Sequence, residues 1–191
     1  FLLTADIDAT STSGWDSNEG FSPIGNNTTK FTGSFDGQGY VITGLTINRP
    51  TQNNVGFFGY TSAAASISNL GLEGGAVSGN GIVGGLVGYS YGEITTSYVT
   101  GAVSGAADVG GLVGANSGGS ISSSYATGAV SGTGDEVGGL VGYNTSGSIS
   151  SSNATGAVSG VNDVGGLVGT NSTNGSITSS YATGVVTGTG I

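Results

Sequence analysis

The sequence predicts an all-β chain, a right-handed parallel β-helix with a coil period of about 27 residues. The motif Gly-Gly-Leu-Val-Gly occurs four times, at 84–88, 110–114, 138–142 and 165–169, so successive copies start 26, 28 and 27 residues apart. No segment shows helical periodicity, and Gly provides 41 of the 191 residues, which strongly disfavours helices. Repeats of this length bury their apolar residues only by stacking on their neighbours.

Each repeat predicts three short strands separated by turns. In the copy at 110–137, Gly-Leu-Val-Gly predicts the first strand, residues 120–127 the second and residues 129–131 the third. Stacked coils place equivalent residues over one another about 4.8 Å apart. We therefore expect three apolar columns in the core: Leu86, Leu112, Leu140 and Leu167; Ile94, Ile121, Ile149 and Ile177; and Val103, Val130, Val158 and Val186.

The two ends of the chain differ from the repeats. Residues 1–54 are predicted to form irregular N-terminal capping coils, and residues 55–191 one continuous run of repeats. The bulky aromatics Trp15, Phe21, Phe31, Phe35 and Tyr40 concentrate in the first part, as expected of a unit that covers the end of a solenoid. Residues 187–191 resemble residues 78–82, which lead into a motif copy. We therefore expect a truncated solenoid with an open C-terminal coil.

Composition and charge exclude several function classes. Two basic and eleven acidic residues give a net charge of −9, so we expect no nucleic-acid partner, because phosphate contacts need clustered Lys and Arg. The absence of His and Cys excludes serine and cysteine triads and His-ligated metal sites within this chain, and no enzymatic activity is expected. No apolar run approaches the roughly 18 residues of a membrane helix, so no membrane insertion is expected.

One column is acidic. Asp108, Glu136 and Asp163 each stand two residues before a copy of the repeated motif. At about 5 Å in water, neighbouring carboxylates repel by roughly 0.8 kcal/mol. The column is either a solvated negative edge or a weak candidate Ca²⁺ site, since a bound cation would relieve this repulsion. No other cofactor is expected.

A second exposed column combines aromatic rings with hydroxyl groups. Its members are Tyr98, Tyr125 and Tyr181, interrupted by Asn153, with Thr100, Thr127, Thr155 and Thr183 alongside. This face predicts contact with sugar rings or with another protein, or else it is an ordinary exposed face whose side chains pair between coils. A separate amide column, Asn116, Asn144 and Asn171, predicts a structural hydrogen-bond ladder.

The motif copies, with Ser-Ile-Ser-Ser-Ser-Tyr-Ala-Thr-Gly at 120–128 and Ala-Val-Ser-Gly at 129–132, resemble the GLUG-motif repeats of large bacterial surface proteins. The resemblance covers residues 55–191. It implies a β-helical, non-catalytic region of an adhesin-like protein. Similar repeats also flank the catalytic parts of secreted metallopeptidases that cleave immunoglobulin A.

Three functional hypotheses follow. The first is a repeat module of a secreted or cell-surface bacterial adhesin-like protein, which acts as an extended scaffold and contacts a glycan, host or matrix surface. The second is a self-assembling extracellular filament protein whose solenoid ends stack head to tail. The third is an accessory region of a secreted peptidase. An acidic, cysteine-free chain rich in Gly, Ser, Thr and Asn fits an extracellular location, at the bacterial cell surface.

Overall fold

The computed structural model describes residues 1–190, and Ile191, at the end of the predicted repeat region, lies outside the described residues. All 23 pairings between named strands are parallel, and the strands form a solenoid of about six turns, which confirms the predicted fold. Each complete coil passes through five sheets in succession. Register shifts of 26 to 28 residues between coils, as in Val87–Val113, Val113–Val141 and Val141–Val168, agree with the predicted period.

The five sheets are numbered in the order in which a coil enters them from the repeated motif. Sheet I consists of Val83–Gly84, Val109–Gly110, Val137–Gly138 and Val164–Gly165. Sheet II consists of Phe58–Tyr60, Val87–Ser90, Val113–Ser117, Val141–Thr145 and Val168–Ser172. Sheet III consists of Ser34–Asp36, Ser66–Ser68, Glu93–Thr95, Ser120–Ser122, Ser148–Ser150 and Ser176–Thr178. Sheet IV consists of Ile7–Asp8, Val41–Thr43, Gly71–Glu73, Tyr98–Val99, Tyr125–Ala126, Asn153–Ala154 and Tyr181–Ala182. Sheet V consists of Thr46–Arg49, Ala76–Gly79, Ala102–Gly105, Val130–Gly132, Val158–Gly160 and Val186–Gly188.

The prediction of three strands per repeat is wrong, because a complete coil contains five. The predicted second strand, 120–127, is divided into Ser120–Ser122 and Tyr125–Ala126 by a corner at Ser123, whose φ is +49°. A two-residue strand, Val109–Gly110, also precedes the motif copy. The corner uses a left-handed backbone conformation that is uncommon outside glycine, and serine composition did not signal it.

The three predicted apolar columns are confirmed as core. Leu112, Ile121 and Val130, one from each column, are at most 1% exposed. Two further columns belong to the same core and were missed by the prediction: Val83, Val109 and Val137; and Val87, Val113 and Val141. Leu and Val are adjacent in the motif and both are buried, because Leu lies at a bend just before the strand that Val begins.

Two buried polar columns fix the register of the coils. The predicted amide ladder is confirmed: Nδ2 of Asn116 donates to Oδ1 of Asn144 at 2.8 Å, and Nδ2 of Asn144 donates to Oδ1 of Asn171 at 2.6 Å. A serine column at the corner between sheets III and IV makes a second ladder. Oγ of Ser124 accepts from the backbone N–H of Ser97 at 3.2 Å and donates to a carbonyl two residues earlier. Buried polar groups are thus paired with the next coil.

The N-terminal segment stacks on the first regular coil with a less regular path. Ile7–Asp8 pairs with Val41–Thr43, and two 3₁₀ helices, Thr10–Gly14 and Asp16–Asn18, follow. Single bridges then join Ile24 to Phe58 in parallel and Gly20 to Ile47 in antiparallel orientation. Residues 1–31 therefore add one irregular layer above the coil that begins at Ser34.

Aromatic side chains fill the space between this layer and the first coil. Phe21 stacks on Phe57 with ring centroids 5.2 Å apart, and Phe31 lies 4.8 Å from Phe58. Trp15, by contrast, remains 50% exposed. Among the described residues, no helix is long and apolar enough to cross a membrane.

Candidate functional site

The tyrosine column lies on the outer face of sheet IV. Parallel, in-register pairing places Tyr98 over Tyr125, Tyr125 over Asn153 and Asn153 over Tyr181. The rings of Tyr98 and Tyr125 are stacked, with centroids 4.7 Å apart and planes 4° from parallel. Where Asn153 interrupts the column, its Nδ2 donates a hydrogen bond to Oη of Tyr181 at 3.0 Å. The column is thus an ordered surface rather than a row of independent side chains.

Hydrogen bonding and burial keep the phenol groups protonated. Oη of Tyr98 donates to Oε1 of Glu73 at 2.6 Å. Burial, and then this bond and the charge of Glu73, raise the pKa of Tyr98. Burial, followed by the charge of Glu73, also raises the pKa of Tyr125. Both side chains therefore remain neutral hydrogen-bonding groups at physiological pH.

A groove runs parallel to the solenoid axis beside Tyr98 and Tyr125. This axial groove has a volume of about 520 Å³. Its second wall is the corner between sheets III and IV, where Gln38, Asn69, Thr96 and Ser123 succeed one another from coil to coil, and Gly39 and Gly71 also line it. All four corner residues have φ between +47° and +54°. The groove therefore sets two aromatic rings against a column of amide and hydroxyl groups.

The threonine column lies beyond the tyrosines. Thr100, Thr127 and Thr155 follow the strands of sheet IV, on the side of the tyrosine column away from the corner that contains Ser123. Oγ1 of Thr100 accepts a hydrogen bond from the backbone N–H of Gly74 at 2.8 Å, which gives this threonine a structural contact. Neither the threonines nor Tyr181 line the axial groove.

The acidic column lies just before the strands of sheet I. Burial raises the pKa of Asp108, against the lowering effect of its hydrogen bond with Glu136. Burial, followed by the hydrogen bond and charge of Asp108, raises the pKa of Glu136 to about 7. The two carboxyl groups therefore share a proton near neutral pH, and Glu136 holds it. Asp163 is exposed in the next coil. Within residues 1–190, no group of three or more acidic, His or Cys side chains is arranged to hold a metal ion.

A second aromatic cluster on sheet II was not predicted. Tyr60 stacks on Tyr89 with centroids 4.8 Å apart and planes 7° from parallel, and Tyr91 lies 5.4 Å from Tyr89. Nζ of Lys30 lies 4.8 Å from the centroid of Tyr60 and 5.2 Å from that of Tyr91. The signal was in the sequence, because Gly-Tyr recurs at 59–60, 88–89 and 142–143, immediately after each Gly-Phe-Phe or Gly-Leu-Val segment.

The parallel coils, like-on-like columns and exposed aromatic face define a β-solenoid repeat protein. Residues 79–104, 105–131, 134–159 and 160–187 match the GLUG motif, more than half of the chain. The chain therefore belongs to the GLUG-motif family, as its sequence predicted. This membership identifies it as a repeat region, and the motif itself carries no assigned reaction.

Two curated relatives share the repeats. Over 103 residues the chain is 46% identical to halomucin of Haloquadratum walsbyi, a match that covers 53% of this chain and 1% of halomucin. Over 97 residues it is 42% identical to a "Putative Gly-rich membrane protein" of Evansella cellulosilytica, covering 49% of this chain and 11% of that protein. The matches thus span only a small part of each relative's length.

One solved structure shares the whole fold. It is the crystal structure of a "putative immunoglobulin A1 protease" from Bacteroides ovatus, with a TM-score of 0.70 over 99% of this chain and 70% of that chain. The sequences are 24% identical, so the likeness concerns the fold alone.

Proposed function

We propose that this chain is a non-catalytic repeat module of a secreted or cell-surface adhesin-like protein. In this role it is an extended scaffold that displays the tyrosine and threonine columns of sheet IV to a glycan, host or matrix surface. The observation that carries the proposal is the stacked, outward-facing pair Tyr98 and Tyr125, whose rings are held 4.7 Å apart. Rigid aromatic side chains give large contact area at low entropic cost.

The relatives and the composition support this proposal. Halomucin and a glycine-rich membrane protein are names consistent with a surface or extracellular location. The sequence contains no His or Cys, so this chain has neither the base nor the thiol of the common covalent hydrolases. A solenoid extends by about 4.8 Å for each added coil, which suits a stalk that carries a contact surface away from a cell.

Binding of the 191-residue polypeptide to immobilised glycans and to host cells tests the proposal. A triple variant, Tyr98→Asn, Tyr125→Asn and Tyr181→Asn, uses the residue already present in this column at Asn153. We expect it to lose about tenfold in affinity. The matched control, Tyr143→Asn on sheet II, should bind like the wild type. Equal binding by the triple variant and the wild type would disprove a role for this face.

Sedimentation velocity over a wide concentration range separates the scaffold from the self-assembling filament. A scaffold module remains one species, whereas a filament subunit forms regular polymers that grow with concentration. For the peptidase hypothesis, the decisive observation is a zinc-binding His-Glu-x-x-His helix elsewhere in the same parent protein.

A further inference from the structure

We propose that the axial groove is the binding site for a short, neutral, linear oligosaccharide. This inference rests on the proposed function, since it assigns the glycan to one part of the sheet IV face. It goes further by excluding most of that face, including Tyr181 and the threonine column, from the contact.

The two walls of the groove match the two kinds of surface on a sugar. The Tyr98 and Tyr125 rings provide apolar area for the C–H groups of a pyranose, and Asn69, Thr96 and Ser123 provide amide and hydroxyl groups for its edge. Sites for small ligands combine apolar surface with a few convergent polar groups in this way. The walls are preorganised, because Tyr98 is held by Tyr125 and Glu73, so binding requires little further ordering.

The charges beside the groove favour a neutral ligand. Asp36 accepts hydrogen bonds from the backbone N–H of Gln38 at 2.9 Å and from Nδ2 of Asn69 at 3.0 Å. Glu73 lies behind Tyr98. The two basic residues are engaged elsewhere: Arg49 pairs with Asp16 and Glu19, and Lys30 lies over Tyr60 and Tyr91. An anionic sugar would therefore approach carboxylates without a compensating cation.

The direction and length of the groove favour a short linear chain. From Gln38 to Ser123 the corner column rises by three coils, about 14 Å, and it presents a polar group at each step. The aromatic wall ends after Tyr125, because Asn153 occupies the next position of the column. A ligand bound along the axis is therefore limited to a few sugar units and does not reach Tyr181.

Calorimetric titration of the 191-residue polypeptide with single oligosaccharides tests the site. The probes are cellotetraose, chitotetraose and mannotetraose, with tetragalacturonate as the anionic comparison. Tyr125→Asn removes one ring of the groove, and Ser123→Trp fills the groove without removing a tyrosine. Tyr181→Asn is the matched control, being the same substitution in the same column outside the groove. Circular dichroism and thermal melting confirm that each variant is folded.

We expect at least one neutral probe to bind, with tetragalacturonate about tenfold weaker or undetectable. Tyr125→Asn and Ser123→Trp should each weaken binding about tenfold, and Tyr181→Asn less than about twofold. If Tyr181→Asn weakens binding as much as Tyr125→Asn, or if Ser123→Trp binds normally, the groove is not the site, although the wider face still binds glycan. If the wild type binds none of the neutral probes, the groove proposal is overturned, and the array and cell-binding experiment decides the wider function separately.

Discussion

The regular coils between residues 66 and 172 and the N-terminal segment before residue 62 are stabilised in different ways. In the regular coils each column joins like to like: Leu112 lies over Leu140, and Asn116 bonds to Asn144. In the N-terminal segment unlike groups meet. The guanidinium of Arg49 bonds to Asp16 at 2.7 Å and to Glu19 at 2.9 Å.

The difference follows from what stacking permits. A column repeats one residue type about every 4.8 Å, so its side chains must tolerate their own kind. Apolar groups do so by packing, and amides and hydroxyls do so because each can both donate and accept. Charged groups cannot, which is why Asp108 and Glu136 share a proton where an acidic column occurs. The end layer has no such constraint and uses complementary charges and tilted aromatic rings.

The largest expected effect distinguishes the two regions by matched leucine substitutions. Leu112→Ala removes a fully buried side chain from a column that packs on both neighbouring coils. We expect it to lower the free energy of unfolding by about 2–5 kcal/mol. Leu2→Ala, in the N-terminal layer, removes a side chain that is 67% exposed and should cost less than about 0.5 kcal/mol. Urea denaturation followed by circular dichroism measures both, and similar losses would contradict this contrast.

Glycine substitutions sharpen the comparison at the backbone. A Cβ at residue 128 would overlap the carbonyl oxygen of Gly101 in the adjacent coil, whereas a Cβ at residue 14 would meet nothing within 4 Å. We expect Gly128→Ala to destabilise the fold by about 1–3 kcal/mol. Gly14→Ala should change stability by less than about 0.5 kcal/mol. Thermal melting of the two variants tests the expectation. A tolerated Gly128→Ala would mean that the coils can separate locally at little cost.

The smallest expected effect concerns pH, because the two regions shift carboxyl pKa values in opposite directions. In the regular coils Glu136 has a pKa raised to about 7, so the protonated group favours the folded state. Its contribution is fully present below the unfolded pKa, near 4.5, and is lost as pH rises through 7. After discounting for solvent screening, we expect stability to fall by about 1 kcal/mol across this range.

Glu136→Gln should remove this decline, since the amide does not titrate. In the N-terminal segment, hydrogen bonds from Asn69 and from the backbone of Gln38 lower the pKa of Asp36. Its contribution is therefore present above its usual pKa and is lost in acid. Urea midpoints measured from pH 3 to pH 8 distinguish the two groups. An unchanged decline between pH 5 and pH 7 in Glu136→Gln would assign it to other residues.

The sequence predicted most of the core but less of the surface. The Leu, Ile and Val columns followed from the period alone, because a residue that recurs at the coil spacing must lie over its own copy. The corner at Ser123 was missed, because a left-handed conformation at a serine leaves no mark in hydrophobic alternation. The tyrosine cluster around Tyr89 was missed because its column is broken by Ala115 and begins in the degenerate repeat.

By itself, the spacing of Gly-Gly-Leu-Val-Gly determined the family, the parallel coils and the order of the columns, since periodicity converts a linear repeat into a stack. Only the tertiary structure decided which exposed groups meet across a corner. Tyr125 and Ser123 are neighbours in sequence, but the groove between their columns also needs Gln38 and Asn69. These residues come from coils whose sequences depart from the repeat, and no periodic pattern could place them there.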